Sequence, residues 1–307
     1  MVGEVGDPEE PVPEGSVEAV WLLAIRPKTL SAAVAPVWVA AGLAAMNDAF
    51  ALLPVVAAFA GAIFIQIGTN LGNDYYDHVR GADTNQRVGP VRVTQAGLIP
   101  PNRVWWGMVI ALAVASLVGI YLVTVGGWPI VWIGLASLVS AVAYTGGPYP
   151  LAYHGLGEVF VFVFFGLVAV GGTYWVQTLS LPGDVFLAGS GIGVMSTAIL
   201  VANNLRDLDS DGSTGKRTLA VRWGRMASRV EYAFLVAVGL STPVLGVALF
   251  GWPSASLAAL LAGFFALGPM RLIMTRDEAE DLVPTLPGTA RMVGLYGLLL
   301  ALGLAFG

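Results

Sequence analysis

Two short stretches carry residues able to do chemistry together. The first ends the run IFIQIGTNLGNDYYDHVRGAD, where Asn70, Asp74 and Asp77 follow an apolar segment. On a helix, steps of four and three put these residues on one face. The second lies 133 residues on, in VMSTAILVANNLRDLDSD, where Asn203, Asp207 and Asp211 fall at steps of four. Carboxylates at the end of a membrane-length apolar run are costly there and mark a functional place. Aspartate is a hard oxygen donor. Asp74, Asp77, Asp207 and Asp211, with amide oxygens from Asn70 and Asn203, suit Mg2+ or Ca2+ rather than zinc or copper. Mg2+ takes one or two carboxylates and completes its shell with water and phosphate oxygens. The loops after the two stretches hold the complement: Arg87 and Arg92 after the first, Lys216 and Arg217 after the second. Acids for metal beside bases for phosphate oxygens are the parts of a Mg-diphosphate site. A single Asp/Asn cluster at a helix end is ordinarily a solvated loop; two at matched spacing argue for more.

The elements that must position these residues are membrane helices. Of 307 residues, 56% are hydrophobic and 11% charged, against about 25% charged in a soluble domain. Mean hydropathy is +0.76. Apolar runs of spanning length fall at 29–47, 51–72, 104–124, 128–145, 157–177, 185–204, 231–250, 254–274 and 288–306. The sequence therefore predicts an all-α integral membrane protein, nine transmembrane helices in one bundle. With nine helices all fifteen bases fall on one side, which the positive-inside rule makes cytoplasmic. The expected N-terminus is cytoplasmic, the C-terminus outside, and both acidic faces cytoplasmic. The loops after the faces, GPVRVTQAGLIPPNRV and GKRTLAVRWGRMASRV, suggest a weak internal four-helix parallel repeat. Residues 1–18 hold six acids and no base, with Pro8, Pro11 and Pro13 among them. They read as a disordered acidic tail before one transmembrane domain, 19–307. With no Cys and two His, thiol chemistry and a His-based metal site are excluded, and no nucleic-acid partner is expected. The aromatic run Phe160, Phe162, Phe164 and Phe165 reads as lipid-facing or core packing rather than a chain-binding groove, and His154 as a structural loop residue; His78 stands beside the first acidic face, open to a structural or a site role.

At these residues the chain resembles the UbiA superfamily of intramembrane prenyltransferases, closest to the branch that prenylates 1,4-dihydroxy-2-naphthoate in menaquinone synthesis. The matching stretches are RPKTLSAAVAPV (26–37), NDYYDHVRGADT (73–84), YTGGPYPLAYHGLGE (144–158) and NNLRDLDSDGSTGKRTLAVRWG (203–224). The resemblance implies nine helices in a cell membrane and a Mg2+-dependent transfer from polyprenyl diphosphate to an aromatic acceptor, the apolar tail lying along helices or in membrane lipid. Asp74 and Asp77 match one Asp motif, Asp207 and Asp211 the other, and Asn70 and Asn203 the asparagines one turn before. Lys216 matches a base on the diphosphate, and Arg26 a base facing the same cavity. Ubiquinone-type members carry a third Asp where this chain has Gly81, with Asp83 nearby. They also carry a Lys-Arg pair where it reads Tyr149-Pro150-Leu151-Ala152-Tyr153-His154. The missing pair argues against a 4-hydroxybenzoate acceptor. It leaves Arg26, Tyr149, Tyr153 and His154 as candidates for acceptor contacts.

Three readings compete. One is the prenyltransferase, with another aromatic or lipid acceptor as its variant. A divalent-cation transporter would place acids midway along helices. A lipid-binding membrane protein would not need paired metal faces.

Overall fold

A computed structural model describes residues 16–82 and 88–307, Lys28 by its backbone alone. The acidic residues 1–15, Asp83 and Arg87 lie outside the described residues. Helices α1 (Val17–Ile25), α2 (Pro27–Met46), α3 (Leu52–Val79), α4 (Pro101–Gly126) and α5 (Trp128–Ala143) come first. Then follow α6 (Gly157–Thr178), α7 (Gly183–Arg206), the short α8 (Leu208–Ser213), α9 (Leu219–Phe250), α10 (Ser254–Thr275) and α11 (Ala279–Phe306). Eight of these helices are long and apolar enough to cross a membrane, and α5 is a shorter apolar one. The spans match the apolar runs, so the chain is an all-helical, multi-pass membrane protein.

Two differences bear on the site. Val17 and Glu18, expected in the tail, open α1 instead. And α3 runs to Val79, beyond the expected end at 72, so that Asp74 and Asp77 lie within the helix. Hydropathy stops counting where polar residues begin, but i to i−4 hydrogen bonding continues if the polar side chains find partners.

Packing falls into two groups. Val39 and Leu43 of α2, Ile192 and Met195 of α7, Tyr232 of α9 and Tyr296 and Leu300 of α11 belong to one buried cluster. Leu71 of α3, Val104 and Met108 of α4, Ala24 of α1 and Val93 and Ile99 of the α3–α4 loop form the other. Between the groups runs α6, which widens to π-helical pitch over Phe162–Val168. There its Gly166 meets α7 so closely that a Cβ would lie 2.5 Å from the carbonyl oxygen of Gly189. Small residues at such crossings let membrane helices touch backbone to backbone.

The two acid-bearing ends meet at one end of the bundle, because Lys216 touches both. Since the chain has no Cys, single cysteines report sidedness cleanly. Ser213, just past the second acidic stretch, and Ser180, at the other end of α7, are both exposed. Ser213→Cys and Ser180→Cys are expected to react with an impermeant maleimide from opposite faces of sealed vesicles. Labelling of both from the same face would refute the spans.

Candidate active site

The first acidic stretch sits under a roof made by the α3–α4 loop. Asp74 is fully buried and Asp77 nearly so. The Asp74 carboxylate accepts from two backbone N–H groups, Val93 to Oδ2 at 3.2 Å and Thr94 to Oδ1 at 3.0 Å. The Arg26 guanidinium approaches Asp74 Oδ2 at 3.8 Å. One turn on, Asp77 Oδ2 takes Arg92 Nη2 at 3.1 Å and Lys216 Nζ at 3.3 Å, while Tyr153 donates its hydroxyl to Oδ1 at 2.8 Å. The Lys216 ammonium also lies 4.9 Å from the Tyr153 ring centroid, within cation–π range.

The second stretch faces the first across Lys216. Its Nζ is 3.7 Å from Asp211 Oδ1, so one ammonium joins Asp77 of α3 to Asp211 of α8. Steps of four survive the break at Asp207, which separates α7 from α8: Asp207 N–H bonds Asn203 O at 3.0 Å and Asp211 N–H bonds Asp207 O at 2.8 Å. Asp207 is held by its neighbour Arg206, Nε to Oδ1 at 2.6 Å and Nη2 to Oδ2 at 2.7 Å. Arg206 Nη2 also donates to Asn203 Oδ1 at 2.8 Å. Gly89, at φ 139°, lies against that guanidinium, and a Cβ there would sit 3.1 Å from Arg206 Cζ. The roof loop thus touches both acidic stretches.

The remaining expected site residues divide. Asn70 is buried but turns its amide elsewhere: Nδ2 donates to Ile25 O at 2.8 Å and Thr29 Oγ1 at 3.1 Å, and Oδ1 accepts from Gln66. Of the tyrosines, Tyr153 reaches the acids; Tyr149 is exposed and stacks on His154 at 3.7 Å. Arg217 is exposed and uses its backbone N–H, 3.0 Å from Tyr153 O. Arg206, counted in the sequence only as a topology signal, is part of the site; its position beside Asp207 was the available clue. The backbone donors of Val93 and Thr94 had no sequence signal.

Below the acids opens an apolar cavity of about 690 Å³ between α2, α3, α4, α5 and α6. Asn73 and Tyr144 mark its polar end, and Ala58 of α3 is among its deeper lining. From Ala58 to Asn73 is about 22 Å of helix at 1.5 Å per residue. Phe160, Phe164 and Phe165 line it. This corrects their reading as lipid-facing or core packing: α6 turns them into a groove.

Among the described residues, no three His, Cys, Asp or Glu side chains stand together as a metal cluster. Lys216 lies between Asp77 and Asp211, and Arg206 lies against Asp207. That donor set fits Mg2+ when an anionic ligand comes with it, since Mg2+ needs few carboxylates and accepts phosphate oxygens for the rest. Asp77, Asp211, Asp207 and Asp74 are the carboxylates able to hold it. These acids are buried and hold the loop above them, so neutralising one disturbs structure as well as chemistry. In Asp74→Asn one of the two backbone acceptors becomes an NH2 group that cannot accept. Amide exchange at Val93 and Thr94 is expected to quicken roughly tenfold, the loss of about one buried hydrogen bond. Unchanged exchange would show that the loop is held by other contacts.

With this geometry in view, comparison with known proteins is specific. Residues 33–286 match the UbiA prenyltransferase family. A 1,4-dihydroxy-2-naphthoate octaprenyltransferase of Mycobacterium tuberculosis is 38% identical over 290 residues, 94% of this chain and 98% of the relative. The enzyme of the same name in Escherichia coli is 34% identical over 297 residues, 92% and 94% of the two chains. In three dimensions the chain is similar to a UbiA homolog from Archaeoglobus fulgidus solved with GPP and Mg2+, with a TM-score of 0.64 at 13% identity, covering 92% of this chain and 99% of that one. From the matched span and from relatives aligned nearly end to end, the chain belongs to the UbiA prenyltransferase family.

Proposed function

We propose that this chain transfers a polyprenyl group from polyprenyl diphosphate to 1,4-dihydroxy-2-naphthoate with loss of CO2, giving a demethylmenaquinol. The observation that carries the reading is the convergence of Asp77 and Asp211 on Lys216 beside the polar end of the apolar cavity. A diphosphate and a long apolar tail need those two surroundings side by side. The naphthoate acceptor is supported by the names of the relatives and by the absence of the Lys-Arg pair after Tyr149. A cation pathway fits less well, since the acids stop at one end and the adjoining cavity is apolar.

Asp77, Asp211, Asp207 and Asp74 would hold Mg2+, which when bound would supply charge stabilisation for the departing diphosphate. The protein cations have the complementary task. Lys216 and Arg92 pair with Asp77, Lys216 also with Asp211, and Arg206 with Asp207. These same cations stand beside the carboxylates, where they would hold the oxygens of a bound diphosphate. The apolar cavity holds the tail, with Phe160, Phe164 and Phe165 along it, and excludes the water that would capture an allylic cation. The allylic C–O bond breaks, the electron-rich ring forms the new C–C bond, and the pair left by the departing CO2 restores aromaticity. We place the acidic end on the cytoplasmic side of the cell membrane, the N-terminus cytoplasmic and the C-terminus outside, because all fifteen bases belong to that side.

Purified protein is expected to consume 1,4-dihydroxy-2-naphthoate with a polyprenyl diphosphate and Mg2+, to stop on chelation, and to release a carboxyl label as CO2 in step with product. Asp77→Asn and Asp211→Asn should each lower kcat by roughly a hundredfold or more, the scale of a lost transition-state charge contact. Retention of the label in the prenylated lipid, or better turnover of 4-hydroxybenzoate, would refute the acceptor while leaving the prenyl transfer standing.

A further inference from the structure

Gln66 is a polar residue inside the apolar half of α3, four residues before Asn70 and eight before Asp74. It is 8% exposed and lines the cavity. Its Nε2 donates to Asn70 Oδ1 at 3.1 Å. Its Oε1 is buried and meets no hydrogen-bond donor among the described residues.

The orientation of that amide follows from a chain of obligatory roles. The carbonyl oxygens of Ile25 and Arg26 can only accept. Thr29 Oγ1 gives its proton to Arg26 O at 2.9 Å, so toward Asn70 it must accept. Asn70 therefore presents Nδ2 to both Ile25 O and Thr29 Oγ1, which turns its Oδ1 toward Gln66. Gln66 must answer with Nε2, and its oxygen is left facing away from Asn70. A flipped Gln66 would set oxygen against oxygen. On a residue that lines an apolar cavity, a buried acceptor held in one direction by four linked groups is left without a donor.

The ligand that supplies the donor can be chosen by chemistry. Polyprenyl diphosphate has no O–H or N–H along its tail. A dihydroxy-aromatic acceptor has two ring hydroxyls. Gln66 stands eight residues below Asp74, about 12 Å along the helix. A ring that attacks the tail's first carbon must enter on the cavity side of a diphosphate held at the acids, and Gln66 is in the wall of that cavity. We propose that Gln66 Oε1 receives a hydrogen bond from a ring hydroxyl of the aromatic acceptor, making Gln66 a specificity-determining residue that selects hydroxylated rings. This inference rests on the acceptor reading above.

The test compares wild type with Gln66→Met, which keeps length and volume but removes the amide, on the full-length protein in lipid nanodiscs. Three ligands are measured: 1,4-dihydroxy-2-naphthoate as substrate, and the two analogues lacking one ring hydroxyl each as competitive inhibitors. Gln66→Met is expected to raise the KM for the diol roughly tenfold, the scale of one buried hydrogen bond. It should weaken by a similar factor the analogue that keeps the bonded hydroxyl, and leave the other analogue unchanged. The KM for the donor should stay within about twofold, which also shows that the variant folds. Equal weakening of all three ligands would overturn the proposal, because Gln66 would then only shape the cavity. No weakening of any would overturn it too, placing water rather than ligand on Oε1. A wild-type chain inactive on the naphthoate is a separate outcome, which removes the acceptor reading and this inference with it.

Discussion

Everything at the acidic end depends on the pairing of buried carboxylates with buried cations drawn from distant parts of the chain. Asp74, Asp77, Asp207 and Asp211 would be prohibitively costly at the end of apolar helices if left alone, and truncating one partner of such a pair typically costs about 3–5 kcal/mol. Lys216 binds Asp77 and Asp211 together, Arg92 binds Asp77, and Arg206 binds Asp207. The loops that carry Arg92 and Lys216 are thereby pinned over the helix ends. The same ion pairs that neutralise the charges close the site.

That arrangement is suited to exchange more than to stability. A buried ion pair is a weak source of net stability, since desolvation offsets most of the Coulomb attraction. What it offers is a set of charges already desolvated and already pointed at one another. A ligand that brings cation and anion together can replace both halves at once: metal for the ammonium at the carboxylate, phosphate for the carboxylate at the ammonium.

Much of this was legible in the sequence. The spans, the two Asp stretches and their meeting at one end follow from apolar run length, spacing of four and the parity of the helices between them. Lys216 and Arg92 were identifiable because they follow the acids. Less legible was anything that depends on which way a helix faces. The phenylalanines of α6 look like lipid-facing residues until the π-helical pitch and the Gly166 crossing turn three of them into the cavity. Asn70 reads from its spacing as a ligand of its face; that Ile25 O and Thr29 Oγ1 hold its Nδ2 and Gln66 donates to its Oδ1 has no sequence signal. Arg206 looks like one cytoplasmic base among fifteen, and only its bidentate hold on Asp207 shows otherwise. Such features are settled by tertiary packing, and hydropathy averages over them.

The break between α1 and α2 shows how far from the acids their support extends. Arg26 lies in the left-handed region, φ 57° and ψ 68°, a conformation that costs a non-glycine residue about 1–2 kcal/mol. A continuous helix would avoid that strain, but it would also commit the carbonyl of Ile25 to an intrahelical bond. Breaking the helix frees it, while Arg26 O takes the first backbone bond of α2, from Thr29 N–H at 2.9 Å. Arg26 O also takes the Thr29 hydroxyl and Ile25 O takes the Asn70 amide. The Arg26 side chain itself lies 3.8 Å from Asp74. One strained residue thus fixes the polar ladder of α3 at two points, Asn70 through the backbone and Asp74 through the guanidinium. Two hydrogen bonds of about 1 kcal/mol each are enough to offset the strain. The ladder they hold runs from the carboxylates down to Gln66, so the cost at Arg26 sets the direction of an amide in the wall of the apolar cavity.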